Sequence, residues 1–371
     1  MKVVIRADAS IQIGSGHVMR CLTLADRLRT RGADVTFVGR PHPGHAGDVI
    51  AARGYAWLAL TASSATTAAP VVQDSPDTPL AHARWLGVPW QTDLIETQQV
   101  LALVKPDWLV VDHYALDERW ERLARTSAPR IMVIDDLADR GHDCDILLDQ
   151  NFHLDPRRRY EGRVPVDCVK LLGPANALLR PAFLGPHPPR TIPDKIRRLL
   201  VFMGGVDADN VTGKVLDALE LSPLRDVPTD VVLGANAPHL ANVREHCAAM
   251  PQIRLHVQID NMAELMAGAD LAIGACGSAT WERCALGLPT VVIVLADNQR
   301  PSANDLATAG FVCNLGDATD LAPDVIAREV VALAHDSTRR DKLSRASMAL
   351  MHDDRQDPAS LIFEWSGHAQ H

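Results

Sequence analysis

The 371-residue sequence predicts an α/β chain of two doubly wound parallel-sheet domains, and three observations carry that expectation. Short β-rich apolar runs alternate with helical stretches along nearly the whole length, at 3–7, 34–38, 108–112, 131–135, 199–203, 231–234, 253–257, 271–274 and 290–294. Most of these runs are continuous rather than alternating, as parallel strands covered on both faces require. The proline-dense stretch GPHPPRTIP at 185–193 interrupts the pattern near the middle. At about 150 residues per domain, the length also suits two units. The expected organisation is a Rossmann-like domain over 1–188 and a second over 189–371. In each, ligand loops lie beyond the carboxyl ends of the strands, and the two domains face a cleft.

Composition narrows the function classes. Hydrophobic residues make up 47% and aromatic residues only 4%, so aliphatic side chains and alanine must fill the cores. A formal charge of −9 argues against a nucleic-acid partner. The short basic run RRRY at 157–160 reads as a solvated turn. No apolar run approaches the ~20 residues that span a bilayer, and no leader pattern opens the chain, so a cytoplasmic protein with no membrane partner is expected. Seven scattered cysteines without a C-x-x-C pair read as small core residues of a reducing compartment. The polar stretch TASSATTAAP at 61–70 reads as an exposed loop.

Each strand-to-helix junction can then be taken in order. The first apolar run leads into RADASIQIGSGHVMRC, where Gly14, Ser15, Gly16 and His17 precede the helical spacing of Val18, Cys21, Leu22, Ala25 and Leu28. Glycines permit close backbone approach, and a helix start offers unpaired N–H groups. A third glycine is missing, so this is not a dinucleotide fingerprint; no Gly-Lys-Ser/Thr follows, so it is not a phosphate loop of the NTPase kind. By pattern alone, the plainer reading is a tight turn capped by Ser15 with His17 exposed on the first helical turn.

Two further glycine loops follow strands in the second half. FMGGVDADN, 202–210, carries Gly204 and Gly205. IGACGSATWERCALGLPTVVIVLADNQ, 273–299, turns at Gly277 and Ser278, starts a helix at Ala279 and Thr280, and places Glu282 one turn after Ser278. A pyrophosphate on the N–H groups at the helix start would be favoured by the helix dipole. A carboxylate one turn along could accept hydrogen bonds from both hydroxyls of a ribose. The spacing therefore predicts a nucleoside-diphosphate site on Gly204, Gly205, Gly277, Ser278, Ala279, Thr280 and Glu282. The acidic pairs DAD at 207–209 and DCD at 143–145 lack the strand context or partner cluster of a metal site, so no metal and no cofactor are expected.

The opening motif, with HARWLGVPWQTD, VVDHYALD, VIDDLADRGHDCDILLDQN, MGGVDADNVT and GACGSATWERCALGLP…LADNQ, resembles the UDP-sugar hydrolase family of pseudaminic-acid biosynthesis (PseG) in the same order. That family cleaves UDP-2,4-diacetamido-2,4,6-trideoxy-β-L-altropyranose and is similar in fold to GT-B glycosyltransferases. The resemblance implies His17 as the catalytic residue, the nucleotide on the Gly277–Glu282 motif, and sugar contacts from Asp8, Gly14, Gly16, Asn151 and Asn298. The family usually carries a tyrosine where Asn176 stands and an acidic residue where Ala182 stands, so the departure bears on the sugar. The oligomeric state is open, with a monomer plausible.

The implied reaction is inverting, metal-independent attack of water on the anomeric carbon with release of UDP. Diphosphate leaves without the proton that an ordinary glycosidic oxygen needs, so one base suffices where glycosidases use two carboxylates. The positive end of the helix would keep His17 neutral. A glycosyltransferase with a sugar or lipid acceptor, and a non-catalytic nucleotide-sugar-binding module, are the competing readings.

Overall fold

The computed structural model describes residues 1–62, 80–185, 187–351 and 356–367. Residues 63–70 of the expected exposed loop lie outside them.

Thirteen strands are described: β1 Lys2–Ala7, β2 Asp34–Gly39, β3 Ala56–Ala59, β4 Trp108–Asp112, β5 Arg130–Ile134, β6 Ile146–Asp149, β7 Val169–Leu172, β8 Leu199–Phe202, β9 Thr229–Leu233, β10 Ile253–Val257, β11 Leu271–Ala275, β12 Thr290–Val294 and β13 Cys313–Asp317. They form two sheets, ordered β3-β2-β1-β4-β5-β6-β7 and β10-β9-β8-β11-β12-β13. Every pairing is parallel, and helices connect most successive strands. The buried runs Val3, Ile5, Trp108 and Val110, and Val201, Ile273, Val291 and Ile293, anchor one core on each sheet. This is the doubly wound arrangement that the continuous apolar runs predict.

All nine expected strands are present within one or two residues of their expected ends. The four others are β3, β6, β7 and β13, and three of these are edge strands. Their sequences, AWLA, ILLD, VKLL and CNLGD, are short or broken by polar residues. A strand flanked on one side only needs less apolar surface, so its periodicity signal is weaker.

The chain divides into two compact units. One comprises residues 1–151, 155–178 and 356–371; the other comprises 152–154 and 179–355. The single boundary expected at 188/189 assigns the final segment to the second domain, whereas the structure packs it on the first sheet's unit. The reason lies in the helix Pro358–Gly367, whose Ala359 and Ile362 are buried in the first core. Asp357 just before it pairs with Arg27 at 3.1 Å and Arg31 at 2.8 Å. Asn176, one departure from the family pattern, is spent here too: it donates to the Leu172 carbonyl and accepts from the Gln356 N–H.

Each sheet reverses its strand order at one place. In the first this falls between β1 and β4, in the second between β8 and β11. Loops leaving adjacent strands there diverge to opposite faces and open a crevice, which is where open α/β sheets hold ligands. The first glycine loop follows β1; the second and third follow β8 and β11.

Candidate active site

In the amino-terminal unit, the helix Gly16–Thr30 begins straight after the first glycine loop. Gly14 has φ +78°, a left-handed conformation that glycine adopts without strain. Ser15 precedes the helix but makes no side-chain cap, contrary to expectation. The turn is instead held by Ser10, whose hydroxyl oxygen accepts from the N–H groups of Gln12 and Ile13 and whose carbonyl accepts from Gly14.

His17 is not the exposed first-turn residue of the plainer reading. It is 8% exposed, and its Nδ1 lies 2.5 Å from Asp112 Oδ1 at the end of β4. Arg20, one helical turn on, donates through Nε and Nη2 to both oxygens of Asp112, at 2.6 and 2.7 Å. It reaches Asp136 with Nη1 at 2.9 Å, and the Tyr114 hydroxyl also donates to Asp136. Burial alone would raise the Asp112 pKa, but Arg20 and then His17 outweigh it and hold the group well below the ordinary carboxylate range. A permanently ionised Asp112 accepting from Nδ1–H leaves Nε2 as the basic nitrogen of His17. It also stabilises the imidazolium that forms once Nε2 has taken a proton. The helix dipole, taken alone, omits this full charge at hydrogen-bond distance.

Aromatic rings enclose the histidine. Tyr114 meets it edge-on at 4.6 Å and Trp85 at 6.4 Å, while His82 stands 4.6 Å from Trp85. Burial lowers the His82 pKa. Such a wall offers apolar faces beside the basic nitrogen.

Asp8, expected on the sugar, is 2% exposed and committed elsewhere. It takes a two-point pairing from Arg6, at 2.7 and 3.0 Å, and the Arg40 N–H at 2.7 Å. Arg6 and Arg40 both reach Asp93 as well. His113 and His42 also face Asp8 Oδ2, at 3.1 and 3.6 Å, so both oxygens of Asp8 are turned to protein groups that order the β1 end. Asn151 follows β6 and is half-buried, its N–H on Asp149 Oδ1 at 2.9 Å. At Asp149, burial and then Asp136 push the carboxyl up to about 7, with Arg159 only partly offsetting them. Arg159 and Tyr160 belong to the run expected as a solvated turn. Instead Arg159 lies 3.3 Å from Asp149, and the buried Tyr160 hydroxyl lies 3.1 Å from carboxylate oxygens of both Asp135 and Asp149.

In the carboxy-terminal unit, Gly204 has φ +97° and the Gly205 carbonyl accepts from Gly234 N–H. A Cβ on Gly234 would lie 2.4 Å from that carbonyl, so these two loops approach as only glycine allows. Asp207 caps the helix Val211–Glu220 with both oxygens, accepting from Val211 and Thr212 N–H groups. Asp143 and Asp145 of the other acidic pair both face Arg125. Asp207 is thus spent on a helix start, and Asp143 and Asp145 on an arginine.

Gly277, Ser278 and Ala279 remain partly or fully exposed at the start of the helix Ala279–Ala285. Thr280 differs: its side chain is buried, and its N–H and hydroxyl are both bonded within the protein, to Gly277 and Ala275. It shapes the loop from within. Glu282 lies one turn on, held by a two-point pairing with Arg180 at 2.8 and 3.0 Å. A carboxylate has about four lone-pair directions, so two remain for other donors. Asn298 sits half-buried in the turn Asp297–Gln299 after β12.

Asp112, Arg20, Tyr114, Trp85 and Arg180 were not singled out from the sequence as site residues. Asp112 carried a signal nonetheless, as a carboxylate ending the continuous apolar run WLVVD. Arg20 stands at helical spacing from His17.

Residues 198–357 match the family model described as glycosyltransferase family 28 C-terminal domain. The chain is similar in structure to Acinetobacter baumannii MurG (TM-score 0.63, 16% identity, 99% of each chain covered). It is also similar to Arabidopsis thaliana UGT89C1 complexed with quercetin (TM-score 0.66, 14% identity, 99% of this chain and 98% of that one). The molecule is a GT-B-like α/β protein with a candidate site at each switch point. In sequence it is 26% identical over 312 residues, 84% of this chain and 98% of the relative, to the UDP-2,4-diacetamido-2,4,6-trideoxy-beta-L-altropyranose hydrolase of Campylobacter jejuni. Among the described residues, no helix is long and apolar enough to cross a membrane.

Proposed function

We propose that the protein hydrolyses a UDP-linked sugar, with UDP-2,4-diacetamido-2,4,6-trideoxy-β-L-altropyranose as the first substrate to test. The carrying observation is the His17–Asp112 contact: an oriented imidazole whose Nε2 can take a proton from water. The oxygen of that water attacks the anomeric carbon, the C–O bond to the diphosphate breaks, and UDP leaves with the electron pair. A single displacement inverts the anomeric centre. Gly204, Gly205, Gly277, Ser278 and Ala279 present backbone to the diphosphate, and Glu282 accepts from the ribose hydroxyls through the lone pairs that Arg180 leaves. Gly14 and Gly16 line the sugar side, with Asn151 and Asn298 as further contacts. Asp8 acts on that side only by ordering the loop.

The similarity to the Campylobacter hydrolase supports this reading. The family 28 domain favours a second one, transfer of the sugar to an acceptor. The experiment incubates the protein with a panel of UDP-sugars in H₂¹⁸O without acceptor, in excess EDTA, and follows the products by NMR and mass spectrometry. Hydrolysis predicts free sugar of inverted anomeric configuration carrying the label, with unlabelled UDP. UDP released only when an acceptor is added would establish the transferase instead. Binding without turnover under either condition would leave a nucleotide-sugar-binding module.

A further inference from the structure

The helix Ala279–Ala285 carries a charge that the reading above does not use. Arg283 is 1% exposed. Its Nη2 donates to the Ala275 carbonyl at 2.7 Å and to Thr280 Oγ1 at 3.1 Å. Thr280 Oγ1 itself lies 3.3 Å from the same carbonyl. Together they clip the last residue of β11 to the first turn of the helix and close residues 276–279 into a loop. Nη1 lies under Gly274, where a Cβ would meet it at 2.6 Å and the Phe202 carbonyl at 2.8 Å. The guanidinium therefore occupies the space a side chain at 274 would fill, beside the ends of β8 and β11.

The other deeply buried arginines find compensation. Arg6 and Arg40 face Asp8 and Asp93, and Arg20 faces Asp112 and Asp136. Arg340 donates to the carbonyls of Leu333, Ala334, Pro193 and Asp194. Among the described residues, Arg283 has the Ala275–Thr280 clip alone, and its Nε and Nη1 have no hydrogen-bond partner. The adjacent carboxylate, Glu282, is turned to Arg180. A buried guanidinium without a carboxylate is costly to the free protein, and its field is weakly screened. An anion on the accessible side of the loop would offset that cost.

We propose that Arg283 is a positioning residue for the diphosphate of the bound nucleotide, fixing the 275–280 loop from beneath and supplying a buried positive charge for the anion to balance. The proposal rests on the assignment of this loop to UDP. It is tested on the intact protein with Arg283→Met and Arg283→Lys, measuring UDP and UMP affinity by calorimetry and the melting temperature without ligand. Arg283→Met should weaken UDP at least tenfold and UMP less, because UMP lacks the second phosphate. Its unliganded melting temperature should hold or rise, since an unbalanced buried charge has gone. Arg283→Lys should keep part of the UDP affinity. Unchanged UDP affinity in Arg283→Met would overturn the proposal. So would equal losses for UDP and UMP accompanied by a lower melting temperature, the pattern of a merely structural residue. Amide exchange on the unaltered protein separates the two levels: UDP that fails to protect 275–282 would overturn the nucleotide assignment itself, whatever the variants do.

Discussion

The two switch points share a topology and differ in chemistry. At the β1/β4 reversal the loop ends are crowded with polar and charged side chains: His17 on Asp112, Asp112 on Arg20, Arg20 on Asp136, and the Arg6–Asp8–Asp93–Arg40 set behind them. At the β8/β11 reversal the accessible surface is mostly backbone, offered by Gly204, Gly205 and Gly277, with one buried guanidinium beneath. A proton-transfer site needs groups whose charge can change, held by others whose charge cannot. An anion site needs N–H groups at short range, and glycine exposes them best. The contrast is what a division of labour between base and nucleotide requires, and three substitutions test it.

The largest effect is expected at the first switch point. His17→Ala should lower kcat by about 10²–10⁴-fold, the range for a lost general base, while UDP affinity stays unchanged. Rates and calorimetry on one preparation check both. A His17→Ala enzyme that turns over normally removes the histidine from the mechanism and erases the contrast. His17 is packed against Tyr114 and Asp112, so some loss of melting temperature accompanies the substitution; the diagnostic is a rate loss far exceeding it.

Next comes the nucleotide side. Glu282→Ala should weaken UDP by roughly 1–3 kcal/mol, the scale of hydrogen bonds to a charged group, with a smaller loss for 2′-deoxy-UDP. Equal losses for UDP and 2′-deoxy-UDP would mean that the carboxylate matters only through Arg180.

The smallest effect sharpens the first site's electrostatics. Asp149 has its pKa raised to about 7, so the folded protein binds this proton more tightly than the unfolded chain does. Its contribution to stability is therefore least unfavourable below about 4, and declines as pH rises from there through about 7. Asp149→Asn abolishes that titration and should stabilise the protein by an amount on the order of 1 kcal/mol at pH 8, with little effect at pH 4. Melting curves at the two pH values decide it; a gain that does not depend on pH would show that Asp149 is ionised throughout.

The sequence by itself determined the doubly wound layout, because continuous apolar runs such as WLVVD and TVVIV admit few other roles. It also located the three glycine loops and His17, since glycine at a strand-to-helix junction is a local backbone requirement. What it left undecided were contacts between residues far apart in the chain. Nothing near His17 announces Asp112, 95 residues on, yet the parallel pairing of β1 with β4 brings their carboxyl ends together. The same sheet geometry commits Asp8 to Arg6 and Arg40, draws Tyr160 inward, and returns the final helix to the first core. Local pattern reports which backbone shapes a segment can take. Which charges meet, and hence which histidine is oriented and which buried guanidinium keeps both Nε and Nη1 without a partner among the described residues, follows from strand order, and only the tertiary structure decided that.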